Sequence, residues 1–238
     1  MTRRTGCQSW FAHLLHLSMA PPPLLGDARG KYRVHVVGNC GAGKSTVGAQ
    51  LAALLGVPFI SLDTLFWKSG WGQSTNEEMR ARVERALAAA TDGWVVDGNY
   101  ARRIGTIVED AATDTLWLDP PLALTLPRVV VRTFLRMLRL QAPCSPGCPE
   151  RVMEVFFSRE SIVWWCITHH GIVRRREGAR MAQIGLGVGS DVRGQKMRRL
   201  VGSGGGVASC AYGREMFRRC SSTSRDSYTH SQSCLLQG

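Results

Sequence analysis

Eight consecutive residues, Gly38-Asn39-Cys40-Gly41-Ala42-Gly43-Lys44-Ser45, followed by Thr46, carry the most specific chemical signal in the chain. The three glycines permit backbone conformations and close approach that a side chain would forbid. The N–H groups so exposed, at the positive end of a following helix, suit phosphate oxygens. Lys44 adds a point charge for the β- and γ-phosphates. The Ser45 hydroxyl is a ligand of the kind Mg²⁺ takes together with waters and phosphate oxygens. The ligands predicted from this cradle are ATP and Mg²⁺. Cys40 stands at a variable position of the loop, either as a small side chain that fits or as a thiol made reactive by the helix N-terminus and Lys44.

Phosphoryl chemistry also needs an acidic residue at a strand end and arginines around the migrating group. Asp97, which closes Trp94-Val95-Val96-Asp97, is the candidate Mg²⁺ carboxylate. A turn cap is the other reading of it, and Asp119 is the second candidate for the metal. Asp63, after the second predicted strand, could accept a hydrogen bond from an acceptor hydroxyl or cap a turn. Trp67 and Trp71 could stack on a ring or pack a lid. Arg102 and Arg103 follow Asp97 and Tyr100 closely enough for one of them to reach a phosphate. Arg128, Arg132, Arg136 and Arg139 fall within about 80° of a helical wheel, with Val130, Phe134 and Leu138 opposite. Like charges four residues apart cost only ~0.2–0.5 kcal/mol per pair, whereas a charge-assisted hydrogen bond to phosphate returns ~1.5–3 kcal/mol. A phosphate-binding face and a solvated face both remain open. Arg159 is a further arginine candidate. Cys144 and Cys148 with Cys166 and His169 have spacings that a zinc site could use, although free thiols explain them as well. Arg174-Arg175-Arg176 reads first as a solvated basic run.

These residues must be positioned by alternating strands and helices. Tyr32–Val37, Val57–Leu62, Trp94–Asp97 and Thr115–Asp119 are short, apolar and rich in β-branched residues, as buried parallel strands are. Helical spacing runs over Ser45–Leu55. Thr75 and Glu78 form a capping box that opens a helix to about Ala90. A shorter helix is predicted near Ile104–Ala112, a basic one over Arg128–Leu140 started or kinked by Pro127, and another around Ser158–His169. The expected fold class is α/β: a P-loop parallel sheet flanked by helices, with a helical lid. The expected organisation is an N-terminal extension over 1–30, a P-loop domain over 31–185 and a Gly/Ser-rich tail over 186–238. Arg3, Arg4 and the apolar stretch before Pro21-Pro22-Pro23 could form a short signal or mitochondrial targeting segment. An untargeted extension of a cytoplasmic protein suits an ATP site better.

The formal charge is +12, but residues 31–150 hold only +2 of it (thirteen Lys/Arg against eleven Asp/Glu) while 191–238 hold +5. A basic total usually raises nucleic acid as a partner, and this distribution argues against it. The eight cysteines are scattered, unlike a secreted disulfide scaffold. No apolar run reaches the ~20 residues of a spanning helix, so no membrane partner is expected.

No Asn-Lys-x-Asp guanine motif is present, and the chain is short for most motor or transporter ATPases. The set Gly38…Lys44-Ser45, Leu62-Asp63-Thr64-Leu65-Phe66-Trp67, Val96-Asp97-Gly98-Asn99-Tyr100 and Phe157-Ser158-Arg159-Glu160-Ser161-Ile162-Val163-Trp164-Trp165 resembles the adenylate-kinase-like P-loop proteins that include bacterial DNA topology modulation proteins. The resemblance covers roughly residues 32–185. It implies a nucleoside-monophosphate-kinase-like fold and an ATP-dependent kinase acting on a small molecule or nucleotide. A nucleoside triphosphate hydrolase, or a nucleotide-binding regulatory module, is the alternative. Carried over residue by residue, it implies Asp97 as the Mg²⁺-water carboxylate. Together with the readings above, the candidate catalytic residues are Lys44, Asp97, Arg132, Arg136 and Arg159, and the candidate substrate-binding residues are Asp63, Trp67, Arg102 and Arg103. Relatives of this type continue with a final strand or helix, whereas Met197-Arg198-Arg199-Leu200 here gives way to Gly/Ser-rich sequence. The last core layer is therefore expected to be incomplete.

Overall fold

The computed structural model describes residues 22–142, 145, 147–148 and 161–201. In chain order, β1 (Tyr32–Gly38) leads through the glycine loop into α1 (Lys44–Leu55), then β2 (Phe59–Ser61) and α2 (Leu62–Phe66). A small hairpin of β3 (Trp67–Lys68) and β4 (Gly72–Gln73) precedes α3 (Asn76–Ala89) and β5 (Gly93–Asp97). Then come α4 (Ala101–Ile104), α5 (Ile107–Ala111), β6 (Asp114–Leu118), α6 (Leu122–Met137), α7 (Ile162–Ile184) and β7 (Met197–Leu200). Five strands form one sheet in the order β2-β5-β1-β6-β7, and every pairing in it is parallel.

A parallel sheet needs helical crossovers, and these bury both faces. Alternation along the strands divides the core accordingly. Val34, Val36, Val95, Leu116 and Leu118 pack with Leu51 and Ala52 of α1. On the other side, Trp94 and Val96 pack with Leu62, Phe66, Met79, Val83, Ile104 and Val108 from α2 to α5. The expected α/β class is thus the observed one. The carboxyl ends of β1, β2, β5 and β6 bring the glycine loop, Asp63, Asp97 and Asp119 to one edge of the sheet, where open α/β sheets bind ligands.

The expected capping box is present: Thr75 Oγ1 accepts from Glu78 N, and Glu78 Oε2 accepts from Thr75 N. Other boundaries shift. The second strand is only Phe59–Ser61, because Leu62 already begins α2. The helix expected near 104–112 is two short ones, divided at Gly105 with φ +67°. The basic helix starts six residues earlier than expected, at Leu122, and encloses Pro127, whose missing N–H removes one helical hydrogen bond. α7 starts at Ile162, where Ser161 Oγ accepts from the N–H groups of Val163 and Trp164.

The largest correction is at the carboxyl end. Met197–Leu200 is the fifth strand, paired in parallel with β6, so the last sheet layer is present and the boundary expected at residue 185 falls inside the folded unit. Arg198 in this strand is buried and ion-paired with the fully buried Asp114 at 2.6 Å. Its guanidinium also donates to the carbonyls of Pro22 and Pro23. Leu25 and Gly26 donate their N–H groups to the Asp114 carboxylate, and Leu24 is buried. The boundary expected at residue 30 therefore fails too, because residues 22–26 belong to this packing. Among the described residues, no helix is long and apolar enough to cross a membrane.

Candidate active site

The glycine loop folds as a cradle at the end of β1. Gly43 adopts φ 91° as the residue before α1, a backbone conformation that disfavours a side chain. Gly41 has no room for one: a Cβ there would lie 2.6 Å from Val129 Cγ2 and 2.7 Å from Thr125 O, so α6 presses directly on the loop. Lys44 Nζ lies 3.0 Å from Asn39 O, folded back over the loop.

Ser45 Oγ donates to Asp97 Oδ2 at 2.6 Å, so the predicted pair meets although 52 residues separate it. Asp97 is 2% exposed, and its second oxygen, Oδ1, is buried without a hydrogen-bond partner. Burial raises the Asp97 pKa above the ordinary carboxylate value, and the nearby Asp63 charge adds to this against the opposing effects of Ser45 and Lys44. A buried carboxylate with one free oxygen beside a hydroxyl and an ammonium fits a divalent cation shared with phosphate. Asp119 does not fit that role. It accepts from Arg174 and from Arg199, the latter at 2.5 Å, and is fully engaged as a structural anion.

Two residues that sequence reasoning did not single out hold the Asp97 turn to the cradle. The Asn99 amide makes a reciprocal pair with the Gly38 main chain, Nδ2 to O at 2.5 Å and N to Oδ1 at 3.3 Å. His35 Nε2 lies 3.0 Å from Gly98 O; a carbonyl only accepts, so Nε2 carries the proton. Burial lowers the His35 pKa to about 4, the Gly98 bond opposing and the Arg180, Arg176 and Lys196 charges reinforcing. The ring is neutral at neutral pH, and its buried Nδ1 has no partner.

α6 and α7 cover the cradle. The helical wheel had left open which side of α6 faces inward, and the structure turns the arginine side in. Arg128, Arg132 and Arg136 are half-buried, whereas Arg139 is exposed. Arg132 Nη2 lies 3.4 Å from Cys40 Sγ, while Arg132 Nε and Arg128 Nη1 are buried without a hydrogen-bond partner. Phe134 and Leu138 of the apolar side are 47% and 66% exposed. The solvated-face reading therefore fails for Arg128, Arg132 and Arg136. From α7, the Cys166 carbonyl accepts from Asn39 Nδ2 at 3.0 Å, and His170 Nδ1 lies 3.3 Å from the same nitrogen.

A second compartment adjoins the first. Asp63 is half-buried, and its Oδ1 accepts from Tyr100 Oη at 2.7 Å. Arg103 lies over the Phe66 ring at 4.4 Å and donates to Gln73. Trp67 packs edge-on against Phe66 and Trp71 at 4.7 and 5.2 Å. Arg102 is exposed on α4. Arg159 and Cys144 lie outside the described residues. Cys148 donates to Lys68 O, and among the described residues no group of three or more His, Cys, Asp or Glu side chains could hold a metal, so the zinc spacing finds no site there. Arg174-Arg175-Arg176 is divided rather than uniformly solvated: Arg174 binds Asp119, Arg176 binds the buried Glu177, and Arg175 is exposed.

Residues 40–92, from within the cradle to the loop before β5, match the family model of shikimate kinase. The solved structures similar to this chain include two shikimate kinases and a gluconokinase. Shikimate kinase from Bacteroides thetaiotaomicron is 13% identical, with a TM-score of 0.44 over 82% of this chain and 98% of that one. Shikimate kinase from Acinetobacter baumannii, in complex with shikimate, is 16% identical, with a TM-score of 0.43 over 81% and 94%. A gluconokinase from Sinorhizobium meliloti is 15% identical, with a TM-score of 0.43 over 84% and 97%. No curated protein is significantly similar in sequence.

Proposed function

We propose that this chain is an ATP- and Mg²⁺-dependent kinase of the P-loop kind that phosphorylates a hydroxyl of a small molecule. The observation that carries the reading is the convergence of Lys44, Ser45, Asp97 and the inward face of α6 on one glycine cradle. The shikimate kinase match over 40–92 supports it, because that stretch contains both Lys44 and Asp63. The wider likeness to adenylate-kinase-like proteins, including DNA topology modulation proteins, belongs to the same reading and leaves nucleotides among the acceptors to be tested.

In this reading the loop N–H groups and Lys44 bind the β- and γ-phosphates. Ser45 and Asp97 would hold Mg²⁺, which supplies positive charge to the phosphate oxygens when bound. Asn99 and His35 keep the Asp97 turn in register with the cradle. Arg132, with Arg128 and Arg136 on the same face, stabilises charge on the migrating phosphoryl group, and Arg159 is a further candidate for that role. Asp63, oriented by Tyr100, accepts the hydrogen bond and then the proton of the acceptor hydroxyl, whose oxygen attacks the γ-phosphorus as its bond to the β,γ-bridging oxygen breaks and ADP leaves. Trp67 and Arg103 wall the acceptor compartment. Such chemistry depends on positioning and on excluding water, which otherwise becomes the acceptor.

The test is to incubate the full chain with ATP, Mg²⁺ and a panel holding shikimate, gluconate, other polyhydroxy acids and nucleoside monophosphates. ADP formation coupled to a phosphorylated product is the expected result. Phosphate release with no transfer to any acceptor would favour the hydrolase instead.

A further inference from the structure

We propose that Cys40 and Cys166 form a reversible oxidation site, whose disulfide joins the phosphate cradle to α7 and shuts off nucleotide binding. The inference rests on reading the cradle as the nucleotide site.

The Cys166 thiol lies against the main chain of Cys40. Cys166 is buried on α7, and its S–H donates to Cys40 O at 3.5 Å, so its sulfur lies against the residue it would bond. Cys40 is half-buried, and its sulfur sits 3.4 Å from the Arg132 guanidinium, a cation able to stabilise charge on it during reaction. Asn39, one residue earlier, donates to the Cys166 carbonyl at 3.0 Å, so a second link already holds the two segments together beside the thiol pair. Burial raises the Cys166 pKa, and the nearby Cys40 adds to the effect. Cys40 is thus the attacking thiol and Cys166 the resolving one.

With a hydroperoxide as oxidant the chemistry balances. The Cys40 sulfur attacks the terminal peroxide oxygen, the O–O bond breaks, and an alcohol leaves as the sulfenic acid forms. The Cys166 sulfur then attacks the Cys40 sulfur, the S–O bond breaks, and water leaves with the Cys166 proton. Two thiols lose two electrons and two protons in all, and the peroxide gains them.

The cradle has no slack to absorb the new bond. Thr125 O and Val129 Cγ2 would lie 2.7 and 2.6 Å from a Cβ at Gly41, so α6 already closes off the residue next to Cys40. Drawing Cys40 toward α7 re-aims the adjoining N–H groups and takes the Cys40 sulfur from Arg132.

The experiment uses the full chain, reduced or treated with diamide, an azo oxidant that takes the same two electrons and two protons. Non-reducing peptide mass spectrometry should find Cys40 linked to Cys166, even among the eight cysteines of the chain. Affinity for a fluorescent ATP analogue should fall at least tenfold and recover with dithiothreitol. Cys166→Ser, whose hydroxyl can keep the bond to Cys40 O, should bind within about threefold of the reduced protein and lose the sensitivity to diamide; Cys166→Ala serves if that variant does not fold. A linked peptide with unchanged affinity, or no linked peptide in protein that binds nucleotide, would overturn the switch and leave the cradle intact. Failure of the reduced protein to bind nucleotide would overturn the cradle reading and the switch with it.

Discussion

Asp97→Asn should make the apo protein more stable and the enzyme nearly inactive. In the wild type, the Asp97 carboxylate is buried, one oxygen is bound by Ser45 at 2.6 Å and the other has no partner. Leaving a buried polar atom unpaired costs ~1–3 kcal/mol. An asparagine keeps an oxygen for Ser45 and places an N–H₂ where the orphaned oxygen was, in the field of Asp63, whose charge raises the Asp97 pKa. The expected net gain is about 1–2 kcal/mol, or roughly 3–6 °C in Tm for a domain of this size. The pH dependence has a definite sign. Because burial raises the folded-state pKa, this group's contribution to stability is fully present below the ordinary carboxylate value and is lost as pH rises through the raised one. The variant's advantage should therefore appear at pH 7.5 and vanish in acid. Thermal scans at both pH values without Mg²⁺, set beside turnover with ATP, Mg²⁺ and the identified acceptor, test both halves. Turnover should fall by about 10²-fold or more, as on losing one preorganised electrostatic contact. A variant that melts lower at pH 7.5, or that keeps its Mg²⁺-dependent turnover, would refute the reasoning.

Lys44→Ala removes one charge-assisted phosphate contact worth ~1.5–3 kcal/mol; equilibrium binding of ATP should weaken roughly 10- to 150-fold, and unchanged affinity would rule out the cradle. For His35, whose pKa falls from 6.5 to about 4 on folding, the unfolded chain takes up a proton first as pH drops. Stability should therefore decline by about 3 kcal/mol between pH 6.5 and 4, and urea titrations of His35→Gln across that window should show a flatter slope. Arg198→Met takes the counter-charge from the buried Asp114, leaving it the neutral donors Leu25 N, Gly26 N and Thr113 Oγ1, and should cost about 3–5 kcal/mol, read as a lower urea midpoint.

The parts of the site that were legible in the sequence are those whose chemistry is local. The cradle is eight adjacent residues, and the strand before it and the helix after it announce themselves by apolar period. Asp97 was found because it ends an apolar run. Asn99 and His35 were not, since their partners are main-chain atoms of Gly38 and Gly98, 61 and 63 residues away. Such contacts leave no pattern in composition. β7 escaped for a different reason: a four-residue strand with arginines at two positions lacks the apolar character that marks a buried strand. It is stable in the sheet because Asp114 and the Pro22 and Pro23 carbonyls satisfy Arg198, while Arg199 pairs with Asp119 and lies over Trp117 at 4.7 Å. The helical wheel separated the two sides of α6 correctly but carried no information about which side meets the protein.

That orientation runs against the hydrophobic gradient and needs a physical reason. A helix that turns arginines inward while leaving Phe134 and Leu138 in solvent forgoes apolar burial, and Arg128 and Arg132 each leave a buried nitrogen unpaired. Each such nitrogen costs ~1–3 kcal/mol. Across the cradle, Asp97 holds an unpaired buried oxygen of the opposite sign. A bare anion would satisfy only the arginines, and a bare cation only the carboxylate. A metal–nucleotide complex presents phosphate oxygens to one side and a cation to the other, so it relieves both penalties together. In the proposed reading, the free protein is destabilised in the two places where its ligand carries complementary charge. This explains why the arginine face of α6 lies over the glycine loop rather than in water.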